Sequence, residues 1–587
     1  MMEIRSYLAQ GKPLLFDGAM GTWFAAQPGR AGERCERANL TRPEEIRAIH
    51  RAYLEAGCRA IKTNTFSLGA DLAAGEEAQA EELLRAACRL AKEAAEPFGA
   101  YVFADLGPAP EGGERKAAEV YLQQADWFLD QGITCFLAET LATDEGIPEL
   151  ARYLKEKCPE AFLIVSFAVG YDGVTRAGLQ GRDLFRRTAA LEGVDAVGFN
   201  CVSGPSHLLK YIQTLDLGDT RLSVMPNAGY PTVLGRRTVF QGQPGYFAEQ
   251  MARIVRAGAA IVGGCCGTTP AHMARTAEIL EKPLPPLTAA PAEAPREAAP
   301  VSANSLWEKL ERGQRVIAVE LDPPVDDDIA PFLEGVRALQ SAGADAVTIA
   351  DCPIGRPRAD SSLLACKLKR ELGVEPLPHM TCRDRNLNAT KALLLGLSME
   401  GVHNVLLVTG DPIPTEDRDE VKSVFNFNSR KLARYVSGLN ETTLRTPFRI
   451  YGALNVNARN FARQLQMAQE KEENGVSGFL TQPVLSAEAL ENLKLAREIL
   501  HGKILGGIFP VVSHKNACFL NNEIAGMRVC DEIVALYQGL DRAAAEDLAV
   551  TISARIASEI APYTDGVYLM TPFRRVALME RIIAAIR

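Results

Sequence analysis

The chain has 587 residues, 47% hydrophobic and 23% charged, and 73 acidic against 64 basic side chains give a formal charge of −9. Neither half carries a basic run, which excludes the electrostatic footprint of a nucleic-acid or anionic-membrane binder and favours small-molecule chemistry. Thirteen cysteines without a repeated spacing read as reduced thiols rather than a disulfide framework, and no apolar stretch reaches the roughly 20 residues of a membrane span.

The first residues, Met1-Met2-Glu3-Ile4-Arg5-Ser6, lack an apolar signal core, so the sequence predicts a soluble, cytoplasmic protein. Eight short apolar runs follow, at 14–22, 60–66, 101–108, 135–140, 162–169, 196–202, 222–229 and 259–268, separated by longer amphipathic stretches. Continuous apolar strands alternating with helices indicate a parallel sheet covered on both faces. Eight such units are the count of a closed (β/α)8 barrel. Polar and glycine residues gather at the C-terminal ends of the runs, the face on which barrels keep their active sites.

Two of these runs end in cysteine. Asn200-Cys201-Val202 closes one, and Ala259-Ala260-Ile261-Val262 leads into Gly263-Gly264-Cys265-Cys266-Gly267-Thr268. Three thiolates converging from two strand ends would hold a tetrahedral Zn2+ and leave one position open, the arrangement of a catalytic site that an exogenous thiol can fill. The plain alternative is burial as small hydrophobes, but a packed core strand does not require the flanking glycines, which allow a sharp turn and a close approach to a ligand. His207 and His272, near the cysteines in sequence, are substitute ligands.

With Asp17-Gly18-Ala19-Met20-Gly21-Thr22 near the start, this pattern resembles the zinc-dependent homocysteine S-methyltransferase family over about residues 10 to 282. The resemblance implies homocysteine as methyl acceptor and Zn2+ as cofactor. It also implies a homocysteine site made of Asp17, Gly18, Thr22, Asn64, Glu139 and Asn200, with Asp17 and Glu139 receiving the ammonium. For the two carboxylates the competing reading is a solvated loop acid or a helix N-cap; Asn64 and Asn200 have a turn-fixing role as theirs. Relatives accept methyl from sulfonium or ammonium donors or from a methylated corrinoid. No Asp-x-His-x-x-Gly signature occurs here, so a corrinoid would have to arrive on a partner protein.

From Lys282-Pro283-Leu284-Pro285-Pro286 through Pro291, Pro295 and Pro300, proline and alanine dominate, as in a semi-rigid linker. The domain expectation is therefore 1–282, a linker over 283–304, and 305–587. The second part repeats the count, with runs at 316–324, 346–353, 377–384, 404–412, 449–456, 478–484, 503–512 and 566–573. The predicted fold class is α/β, as two (β/α)8 TIM barrels joined by a Pro/Ala-rich linker.

Five short motifs fall at successive strand ends of this second part: Val319-Glu320-Leu321-Asp322-Pro323-Pro324, Pro378-His379-Met380-Thr381-Cys382, Thr409-Gly410-Asp411-Pro412, Leu480-Thr481-Gln482-Pro483 and Gly507-Ile508-Phe509-Pro510. As an ordered set they resemble the methylenetetrahydrofolate reductase family. That implies FAD and a folate substrate, with reduction of 5,10-methylenetetrahydrofolate to 5-methyltetrahydrofolate. Opening the methylene bridge needs a proton donor, and a glutamic acid in a partly apolar barrel mouth has its pKa raised toward that task; Glu320 is the expected acid. By the same resemblance Asp411 tunes flavin and pterin, Gln482 holds folate with Glu320, and His379, Thr381, Gly410, Asp411 and Lys471 line the FAD site. Salt-bridged carboxylate and core histidine are the competing readings for Glu320 and His379.

Two departures bear on the reductant. Asn457 stands where free-standing reductases carry a flavin-contacting histidine, and Pro483-Val484 stands where many have aromatics that seat the nicotinamide. No Gly-x-Gly-x-x-Gly follows a strand, so a Rossmann site is not expected. NADH, NADPH and an electron-transfer protein partner all stay open as electron donors. An alternative makes the C-terminal barrel a non-reducing folate-binding or partner-docking module serving the zinc methyltransferase. A homo-oligomer is compatible with the sequence, which leaves the oligomeric state open.

Overall fold

The computed structural model describes residues 2–587 except 31, 111–114, 235–236, 241, 283–303, 414–421 and 524–526. Chain contacts divide it into two compact units, Met1–Ala294 and Pro295–Arg587. The linker expected over 283–304 lies, apart from Asn304, outside the described residues.

The first unit is built on parallel strands β1 (Leu14–Leu15), β2 (Ala60–Lys62), β3 (Tyr101–Leu106), β4 (Cys135–Leu141), β5 (Phe162–Phe167), β6 (Ala196–Asn200) and β7 (Arg221–Met225). An antiparallel hairpin follows, β8 (Pro231–Leu234) and β9 (Arg237–Phe240), and then the eighth barrel strand, β10 (Ala259–Val262). The eight pair in the order β1-β10-β7-β6-β5-β4-β3-β2. A parallel bridge between Phe16 and Ala60 closes the circle.

Period-two alternation along each strand sorts the side chains. Phe16, Ala60, Phe103, Leu137, Ile164 and Ile261 fill the barrel interior. Their neighbours Leu15, Ala104, Phe136, Ala138, Val165 and Val262 pack outward against the helices. The interior is aromatic and tight, with the Phe16 and Phe103 ring centroids 4.6 Å apart, and truncating a ring such as Phe103 to alanine would cost about 3–5 kcal/mol. A short helix, Ile4–Leu8, adds Ile4 and Leu8 to the same interior cluster from the N-terminal side.

Carried one step further, the alternation decides the chemistry. On β2 the inward residue after Ala60 is Lys62; on β3 it is Asp105 after Phe103; on β4 it is Glu139 after Leu137. The last interior layer of this barrel is thus made of ionisable side chains, although all three are buried.

The second unit repeats the plan as a closed barrel: β11 (Val316–Glu320), β12 (Ala346–Ile349), β13 (Pro376–Thr381), β14 (Asn404–Val408), β15 (Arg449–Leu454), β16 (Gly478–Pro483), β17 (Lys503–Ile508) and β18 (Gly566–Met570). Ala318, Leu377, Leu406, Tyr451, Leu480 and Tyr568 fill the interior, joined by Leu306, Trp307 and Leu310 of helix Ser305–Glu311. Glu320 and His379 are the inward residues after Ala318 and Leu377. Both barrels expected from the alternation are present. Among the described residues, no helix is long and apolar enough to cross a membrane.

Candidate active sites

At the C-terminal ends of β6 and β10, the Sγ atoms of Cys201, Cys265 and Cys266 lie within 4.8 Å of one another. Cys201 and Cys266 are 3.8 Å apart. Reaching this arrangement bends the backbone: Cys201 and Val202 take φ of +57° and +54°, a left-handed geometry that costs a non-glycine residue about 1–3 kcal/mol. Thr268 fastens the β10 loop to the β1 loop, since its Oγ1 donates to the Cys265 carbonyl (2.7 Å) and accepts from the Ala19 amide (3.0 Å). A Cβ at either Gly18 or Gly264 would stand 2.4 Å from that hydroxyl, so both glycines are needed for the approach. Thr22 Oγ1 accepts from the Gly267 amide at 3.0 Å.

The hydrogen bond with Cys265 lowers Cys201 and that with Cys201 lowers Cys266, but in each the contact with the remaining thiol and burial outweigh it and push the group up to about 12; the hydrogen bond with Cys201, with burial, holds Cys265 well above its ordinary value. Such a set stays protonated unless a cation neutralises it. Three soft sulfurs with one side open fit Zn2+. His207 pairs instead with the Tyr230 hydroxyl at 2.7 Å, and His272 caps its own helix through Thr269. Neither joins the cluster.

The ionisable layer adjoins the thiols through Asn200. Its Nδ2 donates to Glu139 Oε2 and lies 3.9 Å from Cys265 Sγ, while its Oδ1 accepts from the Thr140 amide at 2.8 Å. Glu139 Oε1 is 3.4 Å from Lys62 Nζ, and Asp17 Oδ2 accepts from the Lys62 amide at 3.0 Å. Burial pushes the Asp17 carboxyl up to about 7 and that of Asp105 well above the carboxylate range. Burial opposes the charge of Lys62, but Glu139 and Asp17 outweigh it and hold the ammonium well above its ordinary value. Asn64 sits apart from this group, donating to the Cys35 carbonyl (2.9 Å) and Asn39 Oδ1 (2.8 Å).

In the second barrel Glu320 Oε2 accepts from the Tyr568 hydroxyl on β18 and lies 3.7 Å from His379 Nε2. Burial raises the Glu320 carboxyl to about 7 against the opposing Tyr568 hydrogen bond. Burial lowers His379 to about 4, so at neutral pH the pair is an acid poised to lose a proton beside an uncharged imidazole. Asp351 Oδ2 accepts from the amide and hydroxyl of Thr381, both at 3.0 Å, and from Arg385 at 2.7 Å. Gly410, at φ +95°, packs so closely that a Cβ would meet Thr381 Cβ at 3.0 Å.

Asp411 is exposed, and its carbonyl accepts from Arg383 at 3.0 Å. Lys471 Nζ donates to the Ala453 carbonyl at 2.7 Å; burial, helped by Arg430, lowers it to about 8. Gln482 is half-buried at the end of β16, and Asn457 Nδ2 donates to the Pro483 carbonyl at 3.0 Å. His379 Nε2, Asn457 Oδ1 and Thr571 Oγ1 are buried without a hydrogen-bond partner at these strand ends, the mark of a site that a polar ligand completes.

Residues 14–280 match the sequence profile of the homocysteine S-methyltransferase family, and residues 305–584 that of methylenetetrahydrofolate reductase. The chain carries one domain of each. Methionine synthase of Mycobacterium tuberculosis (strain ATCC 25618 / H37Rv) is 32% identical over 297 residues, 44% of this chain and 24% of the relative. That of Mycobacterium leprae (strain TN) is 32% identical over 304 residues, 47% and 25%. The chain thus spans about a quarter of the length of these curated relatives. Among solved structures, the metallated form of the homocysteine methyltransferase MmuM from Escherichia coli is 25% identical, covering 47% of this chain and 100% of that one, with a TM-score of 0.40. Its oxidised form is 26% identical, at 47% and 98%, with a TM-score of 0.39.

In the methyltransferase domain the structure brings together Asp17, Glu139, Asn200 and the three cysteines, with Gly18 and Thr22 in the loops that support them. Sequence reasoning missed Lys62 and Asp105. Their signal was available in the strand alternation, since each extends the inward-facing series of its strand by two. In the reductase domain Tyr568, Asp351 and Arg385 were missed; Tyr568 lies 248 residues from Glu320, and no local pattern announces such a pairing.

Proposed function

We propose that the chain is bifunctional, transferring a methyl group to homocysteine in its first domain and reducing 5,10-methylenetetrahydrofolate to 5-methyltetrahydrofolate in its second. The observation that carries the first half is the convergence of Cys201, Cys265 and Cys266 within 4.8 Å at one barrel mouth. Zn2+ held there would supply a thiolate at neutral pH from a thiol whose free pKa is about 8.5. Asp17 receives the substrate's ammonium, Asn200 keeps Glu139 beside the thiols, and the Thr268 hydroxyl fixes the two loops.

For the second half, FAD held by His379, Thr381, Gly410, Asp411 and Lys471 would supply hydride. Glu320 donates the proton that opens the methylene bridge, Tyr568 orients its carboxyl, and Gln482 holds the folate. The electron donor is a nicotinamide or a partner protein. The methyl donor is an activated one, a sulfonium such as S-methylmethionine or a methylcorrinoid carried by a partner, because N5 of tetrahydrofolate is a poor leaving group.

Metal analysis and a visible spectrum of the purified chain test the cofactors. One zinc and one flavin per chain are expected, and absence of both would overturn the reading. Incubation with labelled 5-methyltetrahydrofolate and homocysteine, free of corrinoid, tests the donor. Little labelled methionine is expected; rapid labelling would assign the donor role to the folate.

A further inference from the structure

We propose that Phe573 is a positioning residue for the folate, an aromatic platform on which the p-aminobenzoyl ring stacks while Glu320 protonates the nitrogen that carries it. The inference rests on the reductase reading and concerns a residue that reading does not use.

Phe573 stands in the turn that follows β18, at φ +49° and ψ +36°, and Arg574 after it takes φ +56°. Two consecutive non-glycine residues in the left-handed region are a strained arrangement, of the kind that persists where the surroundings over-determine it and that clusters at ligand clamps. Here straps on either side do so. Arg574 Nη2 donates to the Pro323 carbonyl of the β11 loop at 3.2 Å, and Arg575 Nη1 donates to Glu546 of helix Arg542–Ile560 at 2.9 Å. The Arg575 amide closes the turn on the Pro572 carbonyl at 3.0 Å. What the straps present is a phenyl ring 68% exposed, so packing of the ring does not offset the strain. A lone exposed apolar side chain is ordinary; one held in strained backbone beside a buried acid is not.

The place of Phe573 in the barrel names the occupant. Met570 pairs in register with Glu320, Tyr568 donates to the Glu320 carboxyl, and the Thr571 amide donates to the Glu320 carbonyl at 3.3 Å. Phe573 lies two residues further, at most about 7 Å of chain. Opening the methylene bridge breaks the bond between the methylene carbon and N10; the electron pair stays on N10, which takes the proton, and N5 becomes the iminium nitrogen. N10 is bonded directly to the p-aminobenzoyl ring. A pose that brings N10 to Glu320 therefore brings an aromatic ring to the rim of β18. Phe573 meets it there in an offset or edge-on contact, which shifts affinity by about 3- to 10-fold. Thr571 Oγ1, buried without a partner on the same turn, is a further group that a ligand there would satisfy.

The test is anaerobic titration of the flavin-loaded full chain with tetrahydrofolate and with 6-methyltetrahydropterin, which keeps the reduced pterin and lacks the p-aminobenzoyl arm. Native protein should bind the folate about threefold or more tighter than the pterin. Phe573→Ala should weaken the folate by about 3- to 10-fold and leave the pterin unchanged. It should raise the half-saturating methylenetetrahydrofolate concentration for flavin reoxidation by the same factor, with the limiting rate held. Phe573→Tyr, which keeps the ring, should restore native affinity. Phe573→Gly relieves the left-handed strain, so its melting midpoint should equal or exceed the native one while the folate weakens as in the alanine variant; a ring that served only the fold would give the reverse. Equal weakening of both ligands, or of neither, would overturn the assignment of Phe573. So would native protein that binds the two alike, or a Phe573→Ala variant whose only change is in oligomeric state. Native flavin-loaded protein that binds neither ligand would overturn the reductase reading itself.

Discussion

The two barrels share strand count, closure and a floor helix, and differ in the last inward residue of each strand. In the first, Lys62 and Glu139 form a buried ion pair in that layer, with Asp105 held toward its neutral form beside them and three thiols next to it. In the second, Glu320 and His379 occupy it, with the carboxyl raised to about 7 and the imidazole lowered to about 4. One mouth is arranged to hold charges in place; the other keeps its groups near neutrality and a proton ready to move. The comparison teaches that a barrel's chemistry can be set by extending the interior alternation one residue past the apolar core, with the packing beneath it unchanged.

The largest effect should come from breaking the first mouth. Cys265→Ala removes one of the three clustered thiols, so under the proposed function zinc occupancy should fall severalfold or more and methyl transfer should be lost, while the second domain, with its own core, should keep its fold and its flavin. Metal analysis beside circular dichroism and the flavin spectrum checks this; full zinc and full transfer in the variant would remove the cysteine cluster from the mechanism. Next is Glu320→Gln, which keeps shape and hydrogen bonding but has no carboxylic proton. Flavin should bind and be reduced normally while reoxidation by methylenetetrahydrofolate slows by about 10²-fold or more. Near-normal reoxidation would place the acid elsewhere.

The smallest effect sharpens the contrast in proton handling. Glu320 is protonated below about 7, so flavin reoxidation by the folate should decline as pH rises through that value. The Tyr568 hydrogen bond favours the ionised carboxylate. Removing it in Tyr568→Phe should raise the Glu320 pKa further and move the alkaline limb to higher pH, with about a tenfold or smaller change in the rate below the limb. A pH profile of stopped-flow reoxidation shows the shift; a limb that stays put, or moves down, would separate Tyr568 from the acid.

Much of this was legible in the sequence because parallel barrels write themselves as apolar runs of fixed count, and all sixteen runs contain strands. The hairpin β8–β9 was not, since it lies in a loop between two expected strands and contributes nothing to the barrel count. Cys265 and Cys266 were legible because glycine flanks the pair, and Cys201 because it closes an apolar run. Lys62 reads as a solvated lysine when taken alone and becomes a core cation only once Glu139 and Asp17 close on it, a contact between strands that the sequence keeps 77 residues apart for Glu139 and 45 for Asp17. The alternation along β3 places Asp105 inward two residues after Phe103, but its neighbours Glu139 and Lys62 come from other strands, and Tyr568 is more distant still from Glu320.

The floor helices bear on how these domains can be separated. Helix Ser305–Glu311 seals the second barrel with Leu306, Trp307 and Leu310, and the Trp307 ring meets Tyr451 edge-on at 6.2 Å. Asn304 caps that helix at the Trp307 amide (3.1 Å) and its Nδ2 donates to Asn404 Oδ1 at 2.8 Å. A cut at the first strand, Val316, would leave the barrel unstoppered, with Tyr451 and Leu406 open to water from below. Modular use of the reductase barrel, in isolation or grafted to another partner, therefore has to begin upstream of Asn304, so that the stopper travels with the vessel.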